Sequence, residues 1–181
     1  MRWAALLLAT GIMILYAADE IPRHPGVIDD FQNRVEAYAA LHKAAQGQSP
    51  AVKQADSAAA ILNGQHLLAA KIREKRRGVV QGNIFSPEIS QEFHRLAGTA
   101  THGPAAGRVQ KSLKRAEPVK LSLRVNETYP QHVPLQSVPP TLLQNLPALP
   151  PELEYRVVGH ALVLRDVGAN LIVDFIPDLI P

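Results

Sequence analysis

The chain has 181 residues, is 46% hydrophobic and 19% charged, contains no cysteine and carries a formal charge of +3. These values exclude a polytopic membrane protein, a disulfide-stapled scaffold and catalysis by a thiol. Aromatic residues make up only 5% of the chain while prolines number 15, so one or two small domains with a modest, mainly aliphatic core fit the length.

Met1 and Arg2 give a basic start, and residues 3–18 follow without a charge before Asp19 and Glu20. That run is shorter than the roughly 20 apolar residues that cross a bilayer core, and Ala17 and Ala18 offer small side chains to a peptidase. Residues 1–18 therefore read as a secretory signal peptide. An uncleaved anchor is the alternative, because Leu15 and Tyr16 are bulky for the place just before a cut. The absence of cysteine excludes a lipid anchor on that residue. The expected address is the periplasm or the exterior, with no transmembrane span after cleavage and a domain held by packing alone.

Residues 27–45 place Ile28, Phe31, Val35, Tyr38 and Leu41 at three- and four-residue spacing, with Asp29 and Asp30 where a helix dipole favours negative charge. This spacing predicts an amphipathic helix. Gly47 closes it, and Ser49 followed by Pro50 predicts the cap and first residue of a second helix running to Arg77. The seam of that helix is Val52, Ala55, Ala59, Leu62, Leu68 or Ala69, and Ile72, with Gly64 as its weak point. Residues 82–85 turn into a third, short helix announced by Ser86 and Pro87 and carried by Ile89, Phe93 and Leu96 toward Gly98.

Residues 99–118 are rich in Gly, Ala, Thr and basic side chains without an apolar period, so a linker and domain boundary are expected there. Val119, Leu121, Leu123 and Val125 then alternate with Lys120, Ser122 and Arg124, the period of a half-buried strand. Seven prolines between 130 and 151 leave room for one short helix over 141–146. Three strands finish the chain, over 155–158, 161–165 and 171–175, joined by a tight turn at Gly159 and His160 and a longer one over 166–170. Such connections are too short for a parallel crossover, so the strands form an antiparallel meander. The expected fold class is α+β: an antiparallel helical hairpin with a short third helix over 19–98, the linker over 99–118, then a proline-rich connector and a small sheet over 119–181.

A run from Phe31, Arg34, Val35 and Tyr38 through Leu41, His42 and Lys43 to Gln81, Gly82, Ile84, Phe85, Pro87 and Glu88 resembles a family of uncharacterised exported bacterial proteins. The second half continues the resemblance through Tyr129 and Pro130, Val138 to Pro140, Glu154 to Arg156, and Asn170 to Asp174. The resemblance implies export and this fold, and brings no activity with it. The final meander is also similar to small periplasmic modules, some of them linked to nickel and cobalt homeostasis.

Histidines stand at 24, 42, 66, 94, 102, 132 and 160. No two are three or four apart, so zinc or copper ligation is not written locally. A divalent transition-metal site has to be assembled by folding, with His42, His66 and His94 as candidates. Ser49 and Ser86 each precede proline at a helix start, where capping explains them, and no Gly-x-Ser-x-Gly elbow occurs. Glu152, Glu154, Asp166, Asp174 and Asp178 fall near turns, where carboxylates are normally solvated. Asp174 is expected to face solvent or to accept turn amides. Phosphate-cradling loops are missing from the sequence.

Charge is unevenly divided. Residues 19–126 hold 16 Lys and Arg against 10 Asp and Glu, a net of +6, whereas residues 127–181 hold 2 against 6, a net of −4. Lys71, Arg73, Lys75, Arg76 and Arg77 crowd the end of the second helix, where they complement its dipole or meet an anionic partner. Arg34 with Tyr38, and Tyr155 with Arg156, either form recognition patches or bridge core to water. The leading expectation is an exported, non-enzymatic accessory or interaction protein of the bacterial envelope, without a cofactor and without nucleic acid. Its partner is an envelope protein or an anionic envelope component. A periplasmic metal-binding protein and a small hydrolase are the alternatives.

Overall fold

A computed structural model describes residues 24–47, 57–102, 107, 122–130 and 136–180. The first helix, α1 (Pro25–Gly47), begins where the carbonyl of His24 accepts the amides of Val27 and Ile28, both at 3.1 Å. Its buried stripe is Phe31, Val35, Tyr38, His42 and Ala45, a run of four- and three-residue steps that faces the rest of the protein. The stripe therefore includes a histidine where periodicity of apolar residues alone stops at Tyr38 and Leu41.

Helix α2 (Ala58–Lys75) is capped by Ser57, whose hydroxyl accepts the amide of Ala60. The start expected at Ser49 and Pro50, with Val52 and Ala55 of the expected seam, lies outside the described residues. Leu68, Ala69 and Ile72 are buried as the seam requires, but Ala59 and Leu62 are exposed. Among the described residues, only the C-terminal half of α2 runs alongside covering structure. Gly78, at φ 81°, then turns the chain in a conformation open to glycine.

Helix α3 (Pro87–His102) starts at Ser86, whose hydroxyl accepts the amide of Ile89, and it extends past Gly98, so the linker does not begin there. Ile89, Phe93 and Leu96 are fully buried. Phe93 meets Phe31 and Phe85 at 5.0 and 5.2 Å between ring centroids, an edge-on cluster joining α1, α3 and the loop between α2 and α3. Truncating one of these rings to alanine costs about 3–5 kcal/mol.

The strand expected over 119–125 is not formed where it can be seen: 122–124 are irregular and Val125 and Asn126 turn, with Asn126 at φ 67°. Pairing is made just beyond. Asn126 donates to Ile172, Ile172 donates to Glu127, and Tyr129 donates to Asn170. The sheet itself comprises β1 (Gln136–Ser137), β2 (Leu153–Val158), β3 (Ala161–Asp166) and β4 (Leu171–Ile176) in the order β1-β2-β3-β4, all antiparallel. A short helix, α4 (Pro140–Leu143), sits between β1 and β2. The α+β layout and the meander are as the sequence predicts, with β1 an addition too short to leave a pattern.

Every residue of β3 is buried, because both faces of the sheet are covered. Leu162 and Leu164 join the large core against the helices. Val163, with Val158, Ile172 and Tyr129, forms a smaller core on the other face.

Candidate functional site

Two aspartates without solvent exposure, Asp166 at the end of β3 and Asp174 in β4, organise the contact between helices and sheet. One turn of α1 aims Tyr38 and His42 at the same carboxylate oxygen. Tyr38 donates its hydroxyl to Asp166 Oδ2 at 2.7 Å, and His42 Nδ1 lies 2.6 Å from that atom. The other oxygen accepts the amide of Ala169 at 2.7 Å, closing the β3–β4 turn.

The hydrogen bond to Asp166 lifts the His42 imidazole above its usual 6.5, against the opposing effect of burial and with help from the charges of Asp166 and Glu152. Lys43 opposes the rise, and it pairs with Glu152 at 3.3 Å. Burial, followed by the charge of Asp166, pushes the Tyr38 phenol far above its ordinary range, so it stays a donor.

A carboxylate on imidazole Nδ1 is the means by which hydrolases orient a general base. Here the opposite edge of the ring meets protein. A β-carbon placed on Gly168 would lie 3.1 Å from His42 Cε1 and 3.5 Å from both Nε2 and a methyl of Leu68. The pair is an anchor between α1 and the sheet.

Asp174 is held differently. Its Oδ1 accepts the amides of Gly82 at 3.0 Å and Phe175 at 2.9 Å, and its Oδ2 accepts those of Ile84 at 2.7 Å and Phe85 at 2.9 Å. Gly82, at φ 90°, gives the loop the left-handed turn that lets several amides converge on one carboxylate.

Arg76 links the two seams. Its guanidinium covers the Tyr38 ring at 4.9 Å, donates to Asn126 Oδ1 at 2.9 Å and to the Val173 carbonyl at 2.8 Å, and feels the charge of both aspartates.

A third polar cluster lies on the sheet face away from the helices. Glu154 accepts from Arg156 with one oxygen and from Arg165 with the other. Burial works against ionisation of Glu154, but the two guanidiniums outweigh it and hold the carboxyl below its usual range. Arg165 also donates twice to Asn170 Oδ1, at 2.8 and 2.7 Å.

The expected interaction residues divide accordingly. Arg34 binds Asp30 and the Asn83 carbonyl. Arg73 donates to the Asn126 carbonyl and Thr128 Oγ1. Tyr38 and Arg76 are buried, and Tyr155 is buried with its hydroxyl on the Pro147 carbonyl at 3.1 Å. Arg156 joins Glu154 and Ser137. Lys71 is half-buried, and Lys75 and Arg77 are exposed.

The metal candidates are not gathered. His42 is buried against Asp166 while His66 and His94 are exposed, and no group of three or more His, Asp or Glu suited to a metal occurs among the described residues. Asp166, expected to be solvated, is fully buried; Asp174 does accept amides, but those of a loop some ninety residues away rather than a local turn. Both were hidden because their partners are distant in sequence. Set against protein-family models, curated proteins and solved structures, the chain has no match in any of the three.

Proposed function

We propose that the chain is an exported, non-enzymatic accessory protein of the bacterial envelope that docks an acidic envelope protein through α2. The observation that carries this reading is the uneven burial of that helix. Ile61, Leu62 and Leu67 are 51%, 42% and 42% exposed, and the helix leads into exposed Lys75 and Arg77. Single apolar side chains at a surface are ordinary, but three left uncovered on one helix, with two cations following at its C-terminal end, suit a partner with apolar and acidic character. The charge-free run over 3–18 and the resemblance to exported proteins support the address.

The test has two stages. A C-terminally tagged full chain is fractionated from a Gram-negative host, and its mature N-terminus is sequenced; the expected result is periplasmic protein starting near residue 19. Retention in the cytoplasm overturns the address. The tagged chain then captures its partner from envelope extract, alongside a Lys75→Glu, Arg77→Glu variant. The complex is expected to be lost in the variant and at about 1 M salt, where exposed charges are screened within about 3 Å. A complex indifferent to both overturns the docking surface.

A further inference from the structure

A cavity of about 480 Å³ opens between the edge of β2 and the connector that runs from α4 toward it. Its size falls in the range of small-molecule sites. Its apolar wall is mostly aliphatic: Val138, Leu143, Leu146, Leu149 and Leu153 line it, with Tyr155 the one aromatic ring. Leu143 stands at 47% exposure, an uncovered leucine beside buried Leu142 and Leu146.

The polar side of the cavity is concentrated in one place. Ser137, Glu154 and Arg156 all line it, and the Arg156 guanidinium joins the other two. Glu154 is shared with Arg165, so two guanidiniums face one carboxylate, and neither is in an ion pair with any other acid among the described residues. The cluster therefore keeps one positive charge uncompensated. Arg156 Nε is also buried with no hydrogen-bond partner. An excess cation at the polar side of a mainly aliphatic cavity is suited to an anionic acceptor.

We propose that this cavity binds a monoanionic aliphatic ligand, its chain against Leu143, Leu146, Leu149 and Leu153 and its carboxylate on Arg156. The leucine-rich lining suits an alkyl chain, and the single uncompensated charge selects one acidic group over two. The ligand class is an acyl carboxylate. This site is separate from the exposed face of α2, and it stands or falls without the docking proposal.

The full chain is titrated calorimetrically with sodium decanoate, 1-decanol and decyltrimethylammonium below their aggregation concentrations. Decanoate is expected to bind one to one and more tightly than the other two. Arg156→Gln is expected to weaken decanoate by about tenfold, the scale of one charge-assisted hydrogen bond, while leaving decanol unchanged. Leu143→Glu, at a position 47% exposed, is expected to weaken both. Thermal unfolding of each variant shows that it is folded before it is titrated.

Equal binding of decanoate and decanol overturns the proposal, as does saturable decanoate binding untouched by both substitutions or no saturable binding at all. A short leucine-rich peptide with a free C-terminus that binds where decanoate does not also overturns it, because the site would then be one for peptide ends.

Discussion

Asp166 and Asp174 lie on adjacent strands of one sheet, both without solvent exposure, and both reach toward the helical layer. They do so with different partners. Asp174 is surrounded by four backbone amides, three of them from the loop between α2 and α3. Asp166 takes one backbone amide and two side chains of α1, one of them a histidine that can gain or lose a proton.

Backbone amides cannot titrate or rotate away, so the partners of Asp174 stay the same at any pH. In the Asp166 seam, the raised His42 imidazole makes protonation strengthen the contact. With Arg76 between them, two cations balance two anions only while that imidazole is protonated.

The largest expected effect comes from removing the amide-bound carboxylate. Asp174→Ala leaves buried amides without an acceptor and should cost roughly 3–5 kcal/mol, a large share of a stability that is typically about 5–15 kcal/mol. The shift in urea midpoint measures it. Asp166→Asn keeps the shape and part of the accepting capacity, so a loss of about 2–3 kcal/mol is expected by the same assay.

Gly168→Ala tests the close approach to His42 from the other side of the ring. The added methyl contacts the imidazole edge at a tight 3.1 Å, and the displacement this forces should cost about 1–2 kcal/mol. Lys75→Glu with Arg77→Glu touches neither seam and should cost only about 1 kcal/mol through the helix dipole at the end of α2, so the variant stays folded and its effect on partner capture is separable from folding.

The parts of the fold that sequence makes legible are those governed by local period. Ile89, Phe93 and Leu96 mark α3, and the alternation through Leu153, Tyr155 and Val157 marks β2, because each pattern is set within one element. The misplaced elements are those decided elsewhere. The alternation of Leu121, Leu123 and Val125 suits a strand, but the edge of β4 is taken by 126–129, where Asn126 accepts a left-handed turn and holds Arg76. The alanine-rich start of α2 gives little contrast between faces, so its uncovered length is invisible in the pattern.

The candidate site was half legible. Tyr38 and Arg76 stand out as chemistry-bearing residues, and His42 continues the buried stripe of Phe31, Val35 and Tyr38 once polar residues are allowed into it. Asp166 and Asp174 look like turn carboxylates until the fold brings amides and side chains to them from 89 to 128 residues away.

The anchor account rests on the proton at His42. Because its folded value lies above the usual 6.5, the stability it contributes is fully present below about pH 6.5 and is lost as pH rises through the raised value. Urea unfolding of the full chain from about pH 6 to about pH 9 tests this, with His42→Gln and Asp174→Asn alongside. Wild type and Asp174→Asn are expected to lose stability across that window with the same slope, and His42→Gln to lack that part of the loss. A His42→Gln profile parallel to wild type would contradict the account.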